Sequence, residues 1–151
     1  MQYVDELIAN CQLALMAKPT RTFVLDDLSE LEPVRAGIYK IEEIDGDPVS
    51  TFSAMRDFKM NTTRRCPKLN HPSPTIYVGS STTGMKKRIT QHYGDGPAGT
   101  YALHLKYWAG SRDFRITIFE YAVAKPVLQI IEDAMSYDLQ PAFGKMGGNS
   151  K

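Results

Sequence analysis

No apolar run in this sequence approaches the roughly eighteen residues needed to span a bilayer, and no charged-then-apolar leader opens it. The expected protein is cytoplasmic and makes no membrane contact. Cysteine is scarce: Cys11 and Cys66 are far apart, which fits a reducing, intracellular chain and excludes a disulfide scaffold. Cys66 precedes His71, but two further ligands at zinc spacing are missing, so a structural zinc is not expected. Charge of one sign is lacking too. Eighteen basic against seventeen acidic side chains leave a net charge of +1, too little for a protein that coats nucleic acid by bulk charge. A local basic patch remains open. There is no internal repeat and no low-complexity tract. What remains is 151 residues of 42% hydrophobic content, enough for one globular domain with a real core.

The chain is organised around residues 75–93, TIYVGSSTTGMKKRITQHY. Pro72 and Pro74 stop any helix before it, and Ile76, Tyr77 and Val78 read as a strand that Gly79 ends. Residues 80–84 are a small polar turn. From Met85 the pattern is helical: Met85 and Ile89 share one face, Arg88 and His92 the neighbouring one. A phenol, a planar cation, an imidazole and a helix N-terminus are thus brought together, and all are phosphate-handling groups.

Around this unit, residues 3–17 form an amphipathic helix with Val4, Leu7, Ile8, Cys11 and Leu15 on one side. It packs on the domain or on a second copy in a homodimer. Leu28 and Leu31 mark a short helical turn that Pro33 closes. Residues 37–44 are a strand, and Asp45-Gly46-Asp47-Pro48 reverses the chain. A helix is expected over 50–59, then a polar loop over 60–74. Thr100 is placed to cap a helix running to Trp108. Residues 114–122 are a third strand, with Phe114, Ile116 and Ile118 on one face and Arg115, Thr117 and Phe119 on the other. Pro126 starts a last helix whose buried stripe is Val127, Leu128, Ile131, Met135 and Leu139. Pro141 ends it, and residues 144–151 form a glycine-rich, mobile tail.

Gly37-Ile38-Tyr39 on the first strand, Tyr77-Val78-Gly79 on the second, Arg88 and His92 four apart, and Glu132 on the last helix stand in one order. That order resembles the GIY-YIG nuclease family, over residues 34–145. The resemblance implies an α+β domain, a small three-stranded antiparallel sheet flanked by helices. Residues 1–33 are then a helical extension, residues 46–74 an insertion and 146–151 a tail. It also implies a metal-dependent DNA endonuclease with Tyr39, Tyr77, Arg88, His92 and Glu132 as its catalytic residues.

Within that resemblance Glu132 is the ligand for Mg²⁺ or Mn²⁺, because Mg²⁺ is commonly held by a single carboxylate and keeps most of its waters. Arg88 grips the scissile phosphate with its two-pronged guanidinium. Tyr39 and Tyr77 serve as general base or phosphate contact, since a phenol facing a metal and an arginine loses its proton more easily. His92 orients the nucleophile or a tyrosine hydroxyl. Arg64, Arg65 and Lys68 in the insertion, with Lys86 and Lys87, are the expected contacts to double-stranded DNA. One departure stands out. The family's asparagine in a Pro-x-x-Asn context is replaced, because Pro141-Ala142-Phe143 is followed by Gly144; Asn149 lies further on. That departure bears on full activity and leaves the metal, Arg and Tyr positions untouched. Beside the nuclease stand two rival readings, a nucleic-acid-binding module that has lost turnover and a protein-interaction subunit.

Overall fold

The computed structural model describes residues 1–147. Four antiparallel strands form one sheet in the order β1-β4-β2-β3, with β1 at Arg21–Val24, β2 at Gly37–Ile44, β3 at Thr75–Ser81 and β4 at Asp113–Glu120. Four α-helices accompany it among the described residues: α1 Gln2–Met16, α2 Pro48–Asn61, α3 Met85–Tyr93 and α4 Lys125–Leu139. The expected sheet had three strands. β1 is the addition, four residues of which only Phe23 is turned inward, so its alternation is too short to read. Tertiary partners make it a strand: Thr20 and Leu25 donate to Glu120 and Ile116 of β4, and Arg21 pairs with Glu120 at 3.1 Å. Part of the N-terminal extension is therefore an edge of the sheet.

Period-two alternation sorts the sheet into two covered faces. Tyr39, Ile41, Ile116 and Ile118 join Leu31, Met55, Met85, Ile89, Leu103 and Phe143 in the larger core, under α2 and α3. Ile38 and Val78 face the other way, with Phe119, and meet Leu128, Ile131, Met135 and Leu139 of α4. Local chemistry starts and stops the helices. Asp47 accepts from the Val49 amide with Pro48 following it, and Gly94 ends α3 with φ 117°. α1 lies along α4 and fully buries none of its residues. Leu15, expected on its packed side, is 87% exposed. Leu7 and Ile8 are exposed as well, and the half-buried positions are Val4, Asn10, Cys11, Ala14 and Ala17, the last three small enough to let the two helices come close.

Three further expectations change. β3 does not end at Gly79, because Ser80 and Ser81 continue to pair with Ile38 and Gly37. Residues 100–108 do not form a helix beyond a short 3-10 turn, Leu105–Tyr107. The amides needed for it are spent sideways, Ala102 on the Arg65 carbonyl and Leu103 on His92. The glycine-rich tail is not free at its start. Ala142 and Phe143 donate to the Thr75 and Ile76 carbonyls of β3, and Gly144 donates to Lys68. Asn149 lies outside the described residues, as do residues 148–151 of the expected tail.

Both glycines of the two tripeptides are required by space. A Cβ on Gly37 would sit 2.8 Å from the Phe119 carbonyl oxygen. One on Gly79 would sit 2.3 Å from Tyr39 Oη and 2.5 Å from its Cζ, because the Tyr39 ring lies flat across Gly79. Gly79→Ala should therefore cost about 1–3 kcal/mol, as overpacking does. Gly84→Ala should be close to neutral, since its Cβ would meet nothing nearer than 3.5 Å. Chemical denaturation of the two variants checks this, and equal losses would contradict it.

Candidate active site

β3 is an edge strand, and residues 142–143 pair only with its first two residues, Thr75 and Ile76. The site is built at its remaining, open end. Tyr39 on β2 pairs with Gly79, and Tyr77 stands diagonally next to it on the same face. Their rings stack with centroids 6.0 Å apart and planes 9° apart. α3 then lays His92 and Arg88, one turn apart, over this pair. Tyr39 Oη lies 2.8 Å from His92 Nε2, and Arg88 Nη2 donates to Tyr77 Oη at 3.2 Å. Arg88 Nη1 is held by the Gln91 side chain at 3.1 Å.

The tautomer of His92 follows from its other nitrogen. The Leu103 amide donates to Nδ1 at 3.2 Å, so Nδ1 is unprotonated and the neutral ring carries its proton on Nε2. His92 therefore donates to Tyr39 and cannot take a proton from it through that nitrogen. Burial, then the charge of Arg88 and the neighbouring His104, hold the His92 pKa well below its usual value. Burial, then Tyr77, push the Tyr39 phenol well above the tyrosine range, against the pull of Arg88. Tyr39 is 1% exposed. The easier proton loss expected of it is opposed by its surroundings, and Tyr77 is the tyrosine of the pair with a solvent-facing part. Burial also works against the Arg88 cation, but the two tyrosines more than restore it and raise its pKa.

Glu132 comes from the opposite face of the sheet. It is one turn beyond Leu128 on α4 and 7% exposed, and Oε2 accepts from the Ser80 hydroxyl at 2.9 Å. Burial raises its pKa, while Ser80, Lys145 and Arg88 pull it down and Asp133 adds to the rise. The two faces meet around the open edge of β3, so the Arg88 charge reaches the Glu132 carboxylate. No group of three or more His, Cys, Asp or Glu residues suited to a metal is present among the described residues. The donor set fits a cation that takes one carboxylate and keeps its waters, as Mg²⁺ does, and does not fit a metal needing a full protein cage.

The basic residues separate. Lys87 is exposed beside Arg88, while Lys86 turns away to an exposed ion pair with Glu32 at 2.5 Å. Arg64 is not a free arm: it donates to the Gly96 carbonyl at 3.2 Å and lies 4.3 Å over the Tyr107 ring. Arg65 donates to Tyr101 Oη at 3.0 Å, and both residues help fasten the insertion to residues 96–107. Lys68 is exposed, with its backbone on Gly144.

Sequence reasoning missed Ser80, the Leu103 amide and Asn70. Asn70 Nδ2 donates to the Pro141 and Gly144 carbonyls at 3.0 and 2.9 Å. Gly144, with φ 87°, lies so close to the Tyr77 ring that a Cβ would come within 2.8 Å of it. An asparagine therefore does tie down this segment, but it comes from the insertion. Only the pairing of distant segments reveals that, so no local pattern could have found it. No family model, no curated protein and no solved structure matches this chain.

The neutrality of His92 has a measurable consequence. The unfolded chain protonates this ring near its ordinary value of about 6.5, and the folded protein does so only at lower pH. Its contribution is thus fully present above about pH 6.5 and declines as pH falls through the window below, by up to about 1.4 kcal/mol per unit. Glu132 has the opposite sign and offsets part of this at lower pH. Denaturant unfolding from about pH 7.5 to about pH 5 should show a steeper loss for wild type than for His92→Gln. Parallel curves would contradict a buried neutral His92.

Proposed function

We propose that this protein is a metal-dependent endonuclease that hydrolyses DNA phosphodiester bonds, with the GIY-YIG arrangement its sequence resembles. The observation that carries the reading is the Arg88–Tyr77 contact at 3.2 Å beside a buried carboxylate, Glu132, whose charge is coupled to Arg88. A cation and a phenol at one point, with an anion able to anchor Mg²⁺ or Mn²⁺ next to it, suit a phosphate better than any other common group.

In this reading Arg88 holds two non-bridging oxygens of the scissile phosphate of double-stranded DNA. Tyr77, held in place by Arg88, orients the attacking water and acts as its general base in the phenolate form, its own proton having gone to solvent. Tyr39 and His92 are positioning residues: sealed from solvent, they fix the Tyr77 ring by stacking and by their own hydrogen bond. Glu132 Oε1, which has no hydrogen-bond partner among the described residues, is the oxygen that would hold the divalent ion, with Ser80 fixing Oε2. When bound, that ion supplies positive charge at the phosphate and a polarised water. The basic side chains Lys68 and Lys87 contact flanking phosphates. Arg64 and Arg65 stiffen the insertion and contact DNA only from their stacked positions.

A second reading, a nucleic-acid-binding module without turnover, draws on one observation: Gly144 stands where the family has its asparagine. The two readings part on two variants assayed by single-turnover cleavage at saturating DNA with Mg²⁺. Glu132→Gln should abolish cleavage and leave DNA binding intact. It should also raise Tm near neutral pH, because it removes a buried carboxylate, at about 2–4 °C per kcal/mol. Arg88→Lys keeps the charge and loses the fork, so the rate should fall by about 100-fold or more with affinity little changed. Wild-type rates in both variants, or no cleavage by the wild-type protein, would remove the nuclease assignment.

A further inference from the structure

A groove of about 580 Å³ runs from the turn at residues 80–84 between α3 and the first turns of α4. Lys87, Arg88 and Gln91 form one wall, Lys125 and Gln129 the other. Three cations line it and no carboxylate does, in a chain whose net charge is only +1. Lys40, Lys86 and Lys106 are engaged in ion pairs, with Glu42, Glu32 and Asp95. Lys87 and Lys125 have no ion-pair partner among the described residues, and they stand on opposite walls. The floor adds the hydroxyls of Ser80, Thr82 and Thr83. No aromatic ring lines the groove, so it offers no platform on which a base could stack.

We propose that this groove is a second phosphate subsite. It takes the sugar-phosphate backbone next to the phosphate held by Arg88, with Lys125 and Lys87 as its paired cations. The inference rests on the nuclease reading and extends it to α4, whose N-terminal half no sequence feature had connected with nucleic acid. Gln129 lies three residues before Glu132 on the same helix, so the groove leads directly from the carboxylate. The positive end of the α4 dipole adds to the field. Cations and hydroxyls without a stacking surface read backbone and not base, so contact here is independent of sequence. It divides the basic run on α3 as well: Lys87 belongs to the groove, and Lys86 does not.

The test is fluorescence anisotropy with a labelled duplex of arbitrary sequence, in EDTA, over a range of chloride concentrations. Lys125→Glu should weaken binding about tenfold at low salt and reduce the slope of log K against log salt by about 1. The Lys125 side chain makes no hydrogen bond or ion pair among the described residues, and glutamate is favourable in the first turn of a helix, so the variant should fold. Arg56→Glu on the exposed side of α2 carries the same charge change outside the groove and should bind as wild type does. Equal effects from Lys125→Glu and Arg56→Glu would overturn the subsite. So would binding of inorganic phosphate that is lost in Lys125→Glu while duplex affinity stays at the wild-type level, which would reassign the groove to the free anion. A wild-type protein that cuts DNA while Lys125→Glu binds normally would sink the groove alone. A wild-type protein that neither binds nor cuts would sink the nuclease reading with it.

Discussion

The rest of the site depends on the Tyr39 ring lying flat across Gly79 with its hydroxyl locked to His92 at 2.8 Å. That contact needs a residue without a side chain on β3, an aromatic on β2 and an imidazole one turn beyond Arg88. The Leu103 amide then fixes which nitrogen of His92 carries the proton. Tyr77 stacks on the resulting block and carries Arg88 at its rim. Rigid placement of a cation matters because its worth at a phosphate depends on where it already stands, with no reorganisation left to do.

The electrostatics have a cost in stability that only function explains. Burial raises Glu132 and lowers His92, each shift disfavouring the charged form. A domain built for stability alone would hold a neutral side chain at position 132, under the hydroxyl of Ser80. Keeping a carboxylate there is reasonable if a cation is its partner. The same logic accounts for the open end of β3. An unpaired edge is a liability, and this one is covered by residues 142–143 only as far as Ile76, which leaves Tyr77 onward free for the site.

Much of this was legible in the sequence where local chemistry and period agreed. The strand at 37–44 was bounded by Pro33 and the turn at residues 45–48, the helix from Met85 showed its i, i+4 pairs, and both faces of β4 were readable from residues 114–119. Tyr39, Tyr77, Arg88 and His92 could be grouped because a strand, a short turn and a helix bring them together. Other features depended on partners far along the chain. β1 is a strand only because β4 offers its edge, and residues 100–108 fail to become a helix because their amides serve Arg65 and His92. Arg64 and Arg65 looked like free cations, but aromatic rings some forty residues away engage them. Asn70 gave no signal at all, since its role is defined by two carbonyls near the end of the chain.

The central claim is a division of labour: Tyr39 builds the site, and Tyr77 acts in it. Single-turnover cleavage of duplex DNA by Tyr39→Phe and Tyr77→Phe, with unfolding measured in parallel, tests it most directly. Tyr77→Phe should slow cleavage by about 100-fold to 10,000-fold with stability nearly intact. Tyr39→Phe should leave a buried imidazole N–H without its acceptor, costing about 1–3 kcal/mol, while the rate stays within about tenfold of wild type. The reverse pattern, a lost rate in Tyr39→Phe with normal cutting by Tyr77→Phe, would contradict the account.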